Sequence, residues 1–303
     1  MTAATLAAAL FAVPHTNAGF ADVTDNPGNA WATDTLDPPT SVTAASGANI
    51  TLDWTATTDI YATGYRILRA TSSGGPYTQV AQITPRTTVT YTDSPADGTY
   101  YYVLRAYHLG WESADSNEAT ATSIGVMYLH NNPSPPTADT SSQDLLPLDT
   151  SAPTATSLYN YDTDRDSFAG LVIAKGSGLG ETDLVKIQRW MYTPAGDLTL
   201  STTVQLTIST AMKDFSSGKN GSVEAGLYDC TIAGTSCTLF ASGTVTQNPW
   251  PSTWQDIIID FGAISHTIPA GRALVVKLVV DGGSGDNLWF AYDTTTYQAR
   301  LDL

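Results

Sequence analysis

The stretch that most constrains this chain is TYYYVLRA, Thr99 to Ala106. Its alternate residues are Tyr100, Tyr102, Leu104 and Ala106. A period of two is typical of a β-strand that buries one face and exposes the other. The stretch therefore predicts an antiparallel β-domain in the middle of the chain, with a tail before it and a larger region after it.

The rest of the sequence predicts the same fold class. Short alternating runs of Thr, Ser, Tyr and Val are separated by Gly, Pro, Asn and Asp clusters, and charged residues make up only 14%. This pattern is typical of all-β sandwiches, and no long stretch has the periodicity of an amphipathic helix. Since single cores stop growing at about 250 residues, the 303 residues predict two domains.

The charge balance restricts the partners. Thirteen basic and 29 acidic residues give a formal net charge of −16. Such a surface repels phosphate backbones and anionic lipid headgroups. We therefore expect no nucleic-acid partner and no membrane insertion, whereas a divalent cation would suit the acidity.

An N-terminal extension, residues 1–36, precedes the first domain. Its apolar run from Leu6 to Val13 is too short to span a bilayer as a helix. Two interpretations stay open: a remnant of a signal peptide that lacks a basic first segment, or a retained strand that a neighbouring subunit buries by strand addition. In the second, the assembly strand would use Leu6, Leu10, Phe11, Val13 and Phe20.

The motif from Phe20 to Leu36, F-A-D-x-x-x-N-x-G-N-x-W-x-T-x-T-L, resembles the mature N-terminus of camelysin-type biofilm fibre subunits. Those are secreted β-proteins that polymerise through an N-terminal donor strand. The resemblance implies donor-strand complementation for this chain too.

Residues 37–123 resemble a fibronectin type III domain over their whole length. Trp54 stands at the position of the family's second-strand core Trp, and Tyr65 at that of its third-strand aromatic residue. Tyr100 matches the tyrosine that closes the corner before the sixth strand, and Tyr102 follows on the same face. The resemblance implies a spacer or binding scaffold without catalytic activity.

Residues 124–303 are expected to form a larger, jelly-roll-like β-sandwich. Alternation at 204–208 and 274–280 predicts strands with one buried face. The runs NYDTDRDSFAGLVI, HTIPAGRALVVKLVV and AYDTTTYQARL resemble a β-domain found at the ends of bacterial cell-surface proteins. That likeness implies no activity.

The two cysteines lie in YDCTIAGTSCTLF, where strand-like runs flank a turn. The spacing favours a Cys230–Cys237 disulfide across a hairpin, and with it an oxidising, extracellular location. Two small buried thiols are the alternative. With no histidine in the hairpin, a zinc site is least favoured.

Asp162, Asp164 and Asp166 place three carboxylates at every second position, enough oxygen ligands to begin a structural calcium site. The loop departs from an EF-hand, because Ser167 stands where glycine is required and Ile173 where glutamate is required. Acidic residues on an exposed strand or turn, with Arg165 pairing one of them, are the alternative.

Aromatic residues provide two candidate binding surfaces. Trp250, Trp254, Trp289 and Tyr292 could line a sugar platform, although core packing is the favoured interpretation for Trp289. His108 and Trp111 in the loop YHLGWES could form an exposed recognition pair, although packing on the domain edge is favoured.

No local motif predicts an enzyme. The four histidines are scattered, and neither HExxH nor Gly-x-Ser-x-Gly occurs. With no sorting motif after the last strand-like run, we expect a secreted structural subunit that assembles head-to-tail with copies of itself into an extracellular filament or sheath at the cell surface. The alternative is a monomeric carbohydrate-binding or adhesive module that binds surface glycans. We expect no cofactor beyond structural calcium.

Overall fold

The structure is a computed structural model that describes residues 35–141, 144–165, 168–201 and 203–303. Among these residues every regular element is a β-strand, apart from a 3-10 turn at Lys213–Phe215. The all-β prediction is therefore confirmed. None of the described residues belongs to a helix with the length and apolar character that crossing a bilayer requires. Residues 36–303 form one compact unit.

The first domain contains eight strands in two antiparallel sheets. They are β1 (Thr40–Ala45), β2 (Ile50–Thr55), β3 (Gly64–Ala70), β4 (Thr78–Ile83), β5 (Thr90–Asp93), β6 (Gly98–His108), β7 (Trp111–Glu112) and β8 (Ala119–Ser123). One sheet has the order β1-β2-β5, and the other has the order β4-β3-β6-β7 with β8 also pairing with β6. The stretch Thr99 to Ala106 lies within β6, between β3 and β8. The domain is a fibronectin III-like sandwich.

Aromatic residues hold this sandwich together. Trp54 on β2 and Tyr65 on β3 are buried, and their rings meet edge to face with centroids 5.3 Å apart. Tyr102 is buried on β6 and donates a hydrogen bond to Asp93 Oδ2 at 2.8 Å. The Tyr100 hydroxyl donates to the carbonyl of Ala96 at 3.0 Å, which is the bond of a tyrosine corner.

The second domain contains fourteen strands among the described residues. They are β9 (Val126–Leu129), β10 (Leu145–Asp149), β11 (Leu171–Ile173), β12 (Lys175–Ser177), β13 (Ile187–Tyr192), β14 (Leu198–Leu200), β15 (Thr203–Met212), β16 (Gly221–Thr231), β17 (Thr238–Gln247), β18 (Gln255–Ala263), β19 (His266–Ile268), β20 (Arg272–Asp281), β21 (Leu288–Ala291) and β22 (Arg300–Asp302).

Twelve of these strands form one continuous sheet. Its order is β11-β21-β15-β22-β9-β10-β13-β20-β16-β17, with β12 pairing with β20 and β18 pairing with β15. Strands β14 and β19 form a separate pair. Apolar residues of β15 and β18 belong to the same core as those of β16 and β20, so the two halves of the sheet enclose one core. The jelly-roll topology expected for this domain stays a prediction.

Backbone hydrogen bonds fix the first domain to the second. Ser46 N donates to the carbonyl of Asp197 at 2.9 Å, and Thr199 N donates to the carbonyl of Ser46 at 2.6 Å. Ile124 N donates to the carbonyl of Gly47 at 2.8 Å, while its side chain is buried in the second core. The two cores therefore meet at a short, hydrogen-bonded junction.

Candidate functional site: an aromatic cluster on the second domain

Five aromatic rings form a contiguous group, which we call the aromatic cluster: Phe168, Phe215, Trp254, Trp289 and Tyr297. Trp289 lies on β21 and supplies the base. The other four rings lie outside the strands, on segments that follow or precede β-strands. Rings that are distant in the sequence thus meet on one region of the domain.

Phe168 and Phe215 are the exposed members of the cluster. Phe168 stacks on Trp289 with ring centroids 4.1 Å apart and an interplanar angle of 8°. Phe215 meets Trp289 edge-on at 5.0 Å, and the chain of contacts continues to Trp254 at 6.0 Å and from there to Tyr297 at 5.7 Å. Phe168 and Phe215 are 38% and 39% exposed, whereas Trp289 is 3% exposed.

The backbone that presents Phe215 is strained. Asp214 has φ 55° and ψ 23°, and Phe215 has φ 50°. A bulky side chain in the left-handed region costs about 1–3 kcal/mol and persists only where the surroundings impose it. Such positions concentrate at functional sites, so the conformation of this turn makes the cluster a candidate functional site.

A glycine allows the loop that carries Phe168 to approach the sheet. Gly170 has φ 94°, and a Cβ on it would lie 2.6 Å from the carbonyl oxygen of Phe290 and 3.4 Å from the Trp254 ring. The close approach explains why a side chain is excluded at this position. It also places the loop directly beside Trp254, a member of the cluster.

A buried ion pair supports the same loop from beneath. Arg165 Nε pairs with Asp162 Oδ2, and both side chains are only 1% exposed. Desolvation lowers the pKa of Arg165, and the attraction of Asp162 opposes this effect without cancelling it. Because removing either partner would leave a buried, uncompensated charge, the pair stabilises the segment from Asp162 to Arg165, which precedes Phe168 in the sequence.

A second buried polar centre lies beneath the loop that carries Tyr297. The Asp293 carboxylate, fully buried, lies 2.7 Å from His130 Nδ1 and accepts a hydrogen bond from Asn131 N at 2.8 Å. Ser134 Oγ lies 2.9 Å from the same His130 nitrogen and 3.3 Å from Asp293 Oδ1. From Asp293 the chain turns through Thr294, whose side chain accepts from Tyr297 N at 2.9 Å.

This centre differs from a nucleophilic triad. In a triad the serine bonds one ring nitrogen of the histidine and the acid bonds the other. Here Ser134 and Asp293 both face Nδ1, while Nε2 of His130 lies 2.9 Å from the carbonyl of Ser151. No nitrogen is left to take a proton from the serine, so this arrangement positions the loop.

The sequence-predicted aromatic platform is only partly assembled. Trp254 and Trp289 belong to the cluster, but Trp250 and Tyr292 are buried in the core. Phe168, Phe215 and Tyr297 were not singled out from the sequence. The available signal was a phenylalanine within a polar loop at each of the first two positions, DSF and KDF.

A second apolar surface lies at one end of the first domain. It consists of Ile60 and Tyr61 before β3, Leu109 on the β6–β7 turn and Trp111 at the start of β7, all at least 65% exposed. Thr63 joins the two loops, since its N–H donates to the Tyr107 carbonyl at 2.7 Å and its hydroxyl lies 3.1 Å from His108 Nδ1. Trp111 is 65% exposed, and the choice between a recognition pair and packing on the domain edge stays a prediction.

A disulfide joins Cys230 and Cys237, whose Cα atoms lie 4.0 Å apart. Cys230 is the last buried residue of β16, and Cys237 directly precedes β17. The bridge therefore closes the hairpin at its turn, and the described residues include no free cysteine.

The structure describes two of the three predicted calcium ligands. Asp162 is buried and paired with Arg165, Asp164 is exposed, and Asp166 lies outside the described residues. Within the described ranges no group of three His, Cys, Asp or Glu side chains is arranged to hold a metal ion. Calcium binding stays a prediction. The predicted assembly strand, Leu6, Leu10, Phe11, Val13 and Phe20, also lies outside the described residues.

Comparison with known proteins shows several similarities but assigns the chain to no family. No family model and no curated protein matches the chain. The chain is similar to an Fn3-like protein from Clostridium thermocellum, with 34% identity over 29% of this chain and 93% of that one and a TM-score of 0.27. It is also similar to the chicken CNTN1 FN1–FN3 domains, with 12% identity over 84% of this chain and 67% of that one and a TM-score of 0.26.

A CocE/NonD family hydrolase from Staphylococcus aureus is similar at 11% identity and a TM-score of 0.39. The similarity covers 58% of this chain and 35% of the hydrolase. All of these TM-scores are low, so we base no functional argument on them.

Proposed function

We propose that this protein is a secreted, non-catalytic structural subunit that assembles head-to-tail with copies of itself by strand addition. The apolar run from Leu6 to Val13 of one copy would add to the edge of a sheet in the next. Such a contact is heterologous, and it propagates into a filament when successive rotations do not close a ring.

The observation that carries this proposal is the edge strand β4. Among the described residues β4 pairs only with β3, so the backbone groups along its outer side are open. Its sequence, TQVAQI, contains no charged residue and no proline. Natural edge strands are usually protected from pairing by charges or proline, and β4 has neither protection.

The dimensions also suit strand addition. At about 3.3 Å per residue, the six residues of β4 extend roughly 20 Å, which the eight-residue apolar run can cover. The run itself is free of charge and of proline. Residues 14–36 could span at most about 75 Å when extended, enough to tether the run to a neighbouring copy.

The disulfide supports an extracellular location. Disulfides persist in oxidising compartments and are rare where thiols are kept reduced. A net charge of −16 keeps individual subunits soluble, so association would depend on the specific strand contact. The fibronectin III-like domain would then act as the spacer between successive contacts.

Electron microscopy and sedimentation velocity test the proposal on four proteins: the full chain, residues 37–303, Gln82→Lys and Gln247→Lys. Gln82 is exposed on β4, where a lysine should block strand addition. Gln247 is exposed at the end of β17 and is the matched control. We expect filaments from the full chain and from Gln247→Lys, and monomers from the other two.

Monomers from the full chain would refute assembly by itself. Filaments from residues 37–303 would show that assembly does not need the N-terminal strand. Filaments from Gln82→Lys would show that β4 is not the acceptor edge.

A further inference from the structure

We propose that the aromatic cluster of the second domain binds a neutral polysaccharide, whose sugar rings lie against Phe168 and Phe215. This activity is independent of assembly and uses a different domain from β4. Five features support this binding: the exposure of the rings, one unpartnered donor, the strained turn, the size of the surface and the charge of the chain.

The exposed ring faces suit sugars. Phe168 covers the Trp289 ring with one face and is still 38% exposed, so part of its ring is open to solvent. The face of an aromatic ring is electronegative and attracts the C–H groups that line one side of a pyranose. Phe215 stands edge-on to Phe168, with centroids 5.5 Å apart and an interplanar angle of 85°, and therefore offers a second, differently oriented ring.

A polar donor within the cluster has no partner. Trp289 Nε1 is buried and makes no hydrogen bond to any residue of the described chain. An indole N–H is a donor only, and buried polar groups normally find a partner. A sugar hydroxyl is an acceptor of the right kind. Because Nε1 is covered in the unliganded chain, a small movement of the exposed rings beside it has to accompany binding.

The strained turn points to the same site. Asp214 and Phe215 both adopt positive φ values, which a glycine would adopt without penalty. The sequence instead retains a large aromatic ring at the strained position. An observed backbone outlier of this kind supports a hypothesis of function, here the presentation of Phe215 to a ligand.

Size and charge select the ligand class. A stable protein partner needs roughly 800 Å² of surface on each side, far more than two partly exposed phenylalanine rings present. The net charge of −16 disfavours anionic polymers, including nucleic acids and acidic glycans. A neutral saccharide makes use of ring faces and a single donor without opposing this charge.

Isothermal titration of the full chain with cellohexaose, xylohexaose, mannohexaose and chitohexaose tests the inference, with polygalacturonate as the anionic probe. We expect binding of at least one neutral hexasaccharide and none of polygalacturonate. Phe168→Ala and Trp254→Ala should each weaken binding about tenfold or more, by analogy with ring stacking on nucleobases. Phe168→Tyr keeps the ring and should retain binding.

Trp111→Ala is the matched control, because it removes an exposed tryptophan from the other domain. The affinity of this variant for the hexasaccharide should stay within about twofold of the affinity of the original chain, as expected for a surface change away from the site. Melting curves check that every variant is folded. The inference is overturned if none of the four hexasaccharides binds, if polygalacturonate binds best, or if Trp111→Ala loses as much affinity as folded Phe168→Ala and Trp254→Ala.

Discussion

His130 Nδ1 lies 2.7 Å from the Asp293 carboxylate, and its other ring nitrogen lies 2.9 Å from the carbonyl of Ser151. A carbonyl oxygen and an ionised carboxylate only accept hydrogen bonds. A charged imidazolium donates from both ring nitrogens and so satisfies both acceptors. Burial lowers the pKa of His130, but Asp293 and Asp149 raise it, which favours this form. The pair is a buried ion pair that joins the segment after β9 to the segment after β21.

The first prediction concerns pH. Burial lowers the pKa of His130, but the hydrogen bond and attraction of Asp293, aided by Asp149, outweigh it and raise the pKa above its ordinary value. The ordinary value is about 6.5. The ion pair therefore contributes fully below about pH 6.5, and its contribution is lost as the pH rises through the folded-state pKa. The melting-temperature difference between the original chain and His130→Gln should shrink from about pH 6 to about pH 9.

Asp293→Asn gives the matching test. It removes one partner of a buried pair, which costs about 3–5 kcal/mol, so its melting temperature should fall most where His130 is charged. The double variant His130→Gln with Asp293→Asn should lose the extra pH dependence. Melting curves that stay parallel across this pH range in all four proteins would contradict a charged His130.

The second prediction concerns the disulfide. Replacing Cys230 and Cys237 together by alanine removes a closed loop of roughly eight residues, which by loop-closure entropy costs about 2.5 kcal/mol. Urea unfolding should show this loss of free energy. Dithiothreitol should lower the melting temperature of the original chain and leave that of the double variant unchanged. Equal sensitivity of both proteins to the reductant would argue against the bridge.

The sequence predicted the parts of the fold that depend on local patterns. Alternation at 274–280 and 204–208 falls within β20 and β15, because a buried strand face imposes a period of two. The boundaries were less accurate. The alternation predicts a strand only over 204–208, whereas β15 extends from Thr203 to Met212.

The aromatic cluster could not be predicted because no local pattern defines it. Its rings come from positions as distant as Phe168 and Tyr297, and which aromatic residues are buried depends on tertiary packing. Trp250 was grouped with Trp254 on sequence proximity, yet Trp250 packs on Gly221 in the core. Tertiary packing places Trp250 in the core and Trp254 in the aromatic cluster.

The third prediction concerns the tyrosine corner. Tyr100→Phe removes the hydroxyl that donates to the Ala96 carbonyl at 3.0 Å and keeps the ring. One such hydrogen bond is worth about 1 kcal/mol, so chemical denaturation should show a loss of that size. Tyr101→Phe is the control, since no hydrogen bond of its hydroxyl is part of the corner. A loss of stability in Tyr101→Phe equal to that in Tyr100→Phe would contradict the assignment.

The last prediction concerns the junction between the domains. A Cβ at Gly47 would collide with the carbonyl oxygen of Thr199, in the segment where backbone hydrogen bonds connect the two domains. Since the obstacle is backbone, Gly47→Ala must displace the junction, at a cost of about 1–3 kcal/mol. Calorimetry should show a lower melting temperature and separate transitions for the two domains. Gly110→Ala is the control, because a Cβ there meets no atom within 4 Å. A Gly47→Ala thermogram that matches the thermogram of this control would show that joint unfolding of the two domains does not depend on the junction.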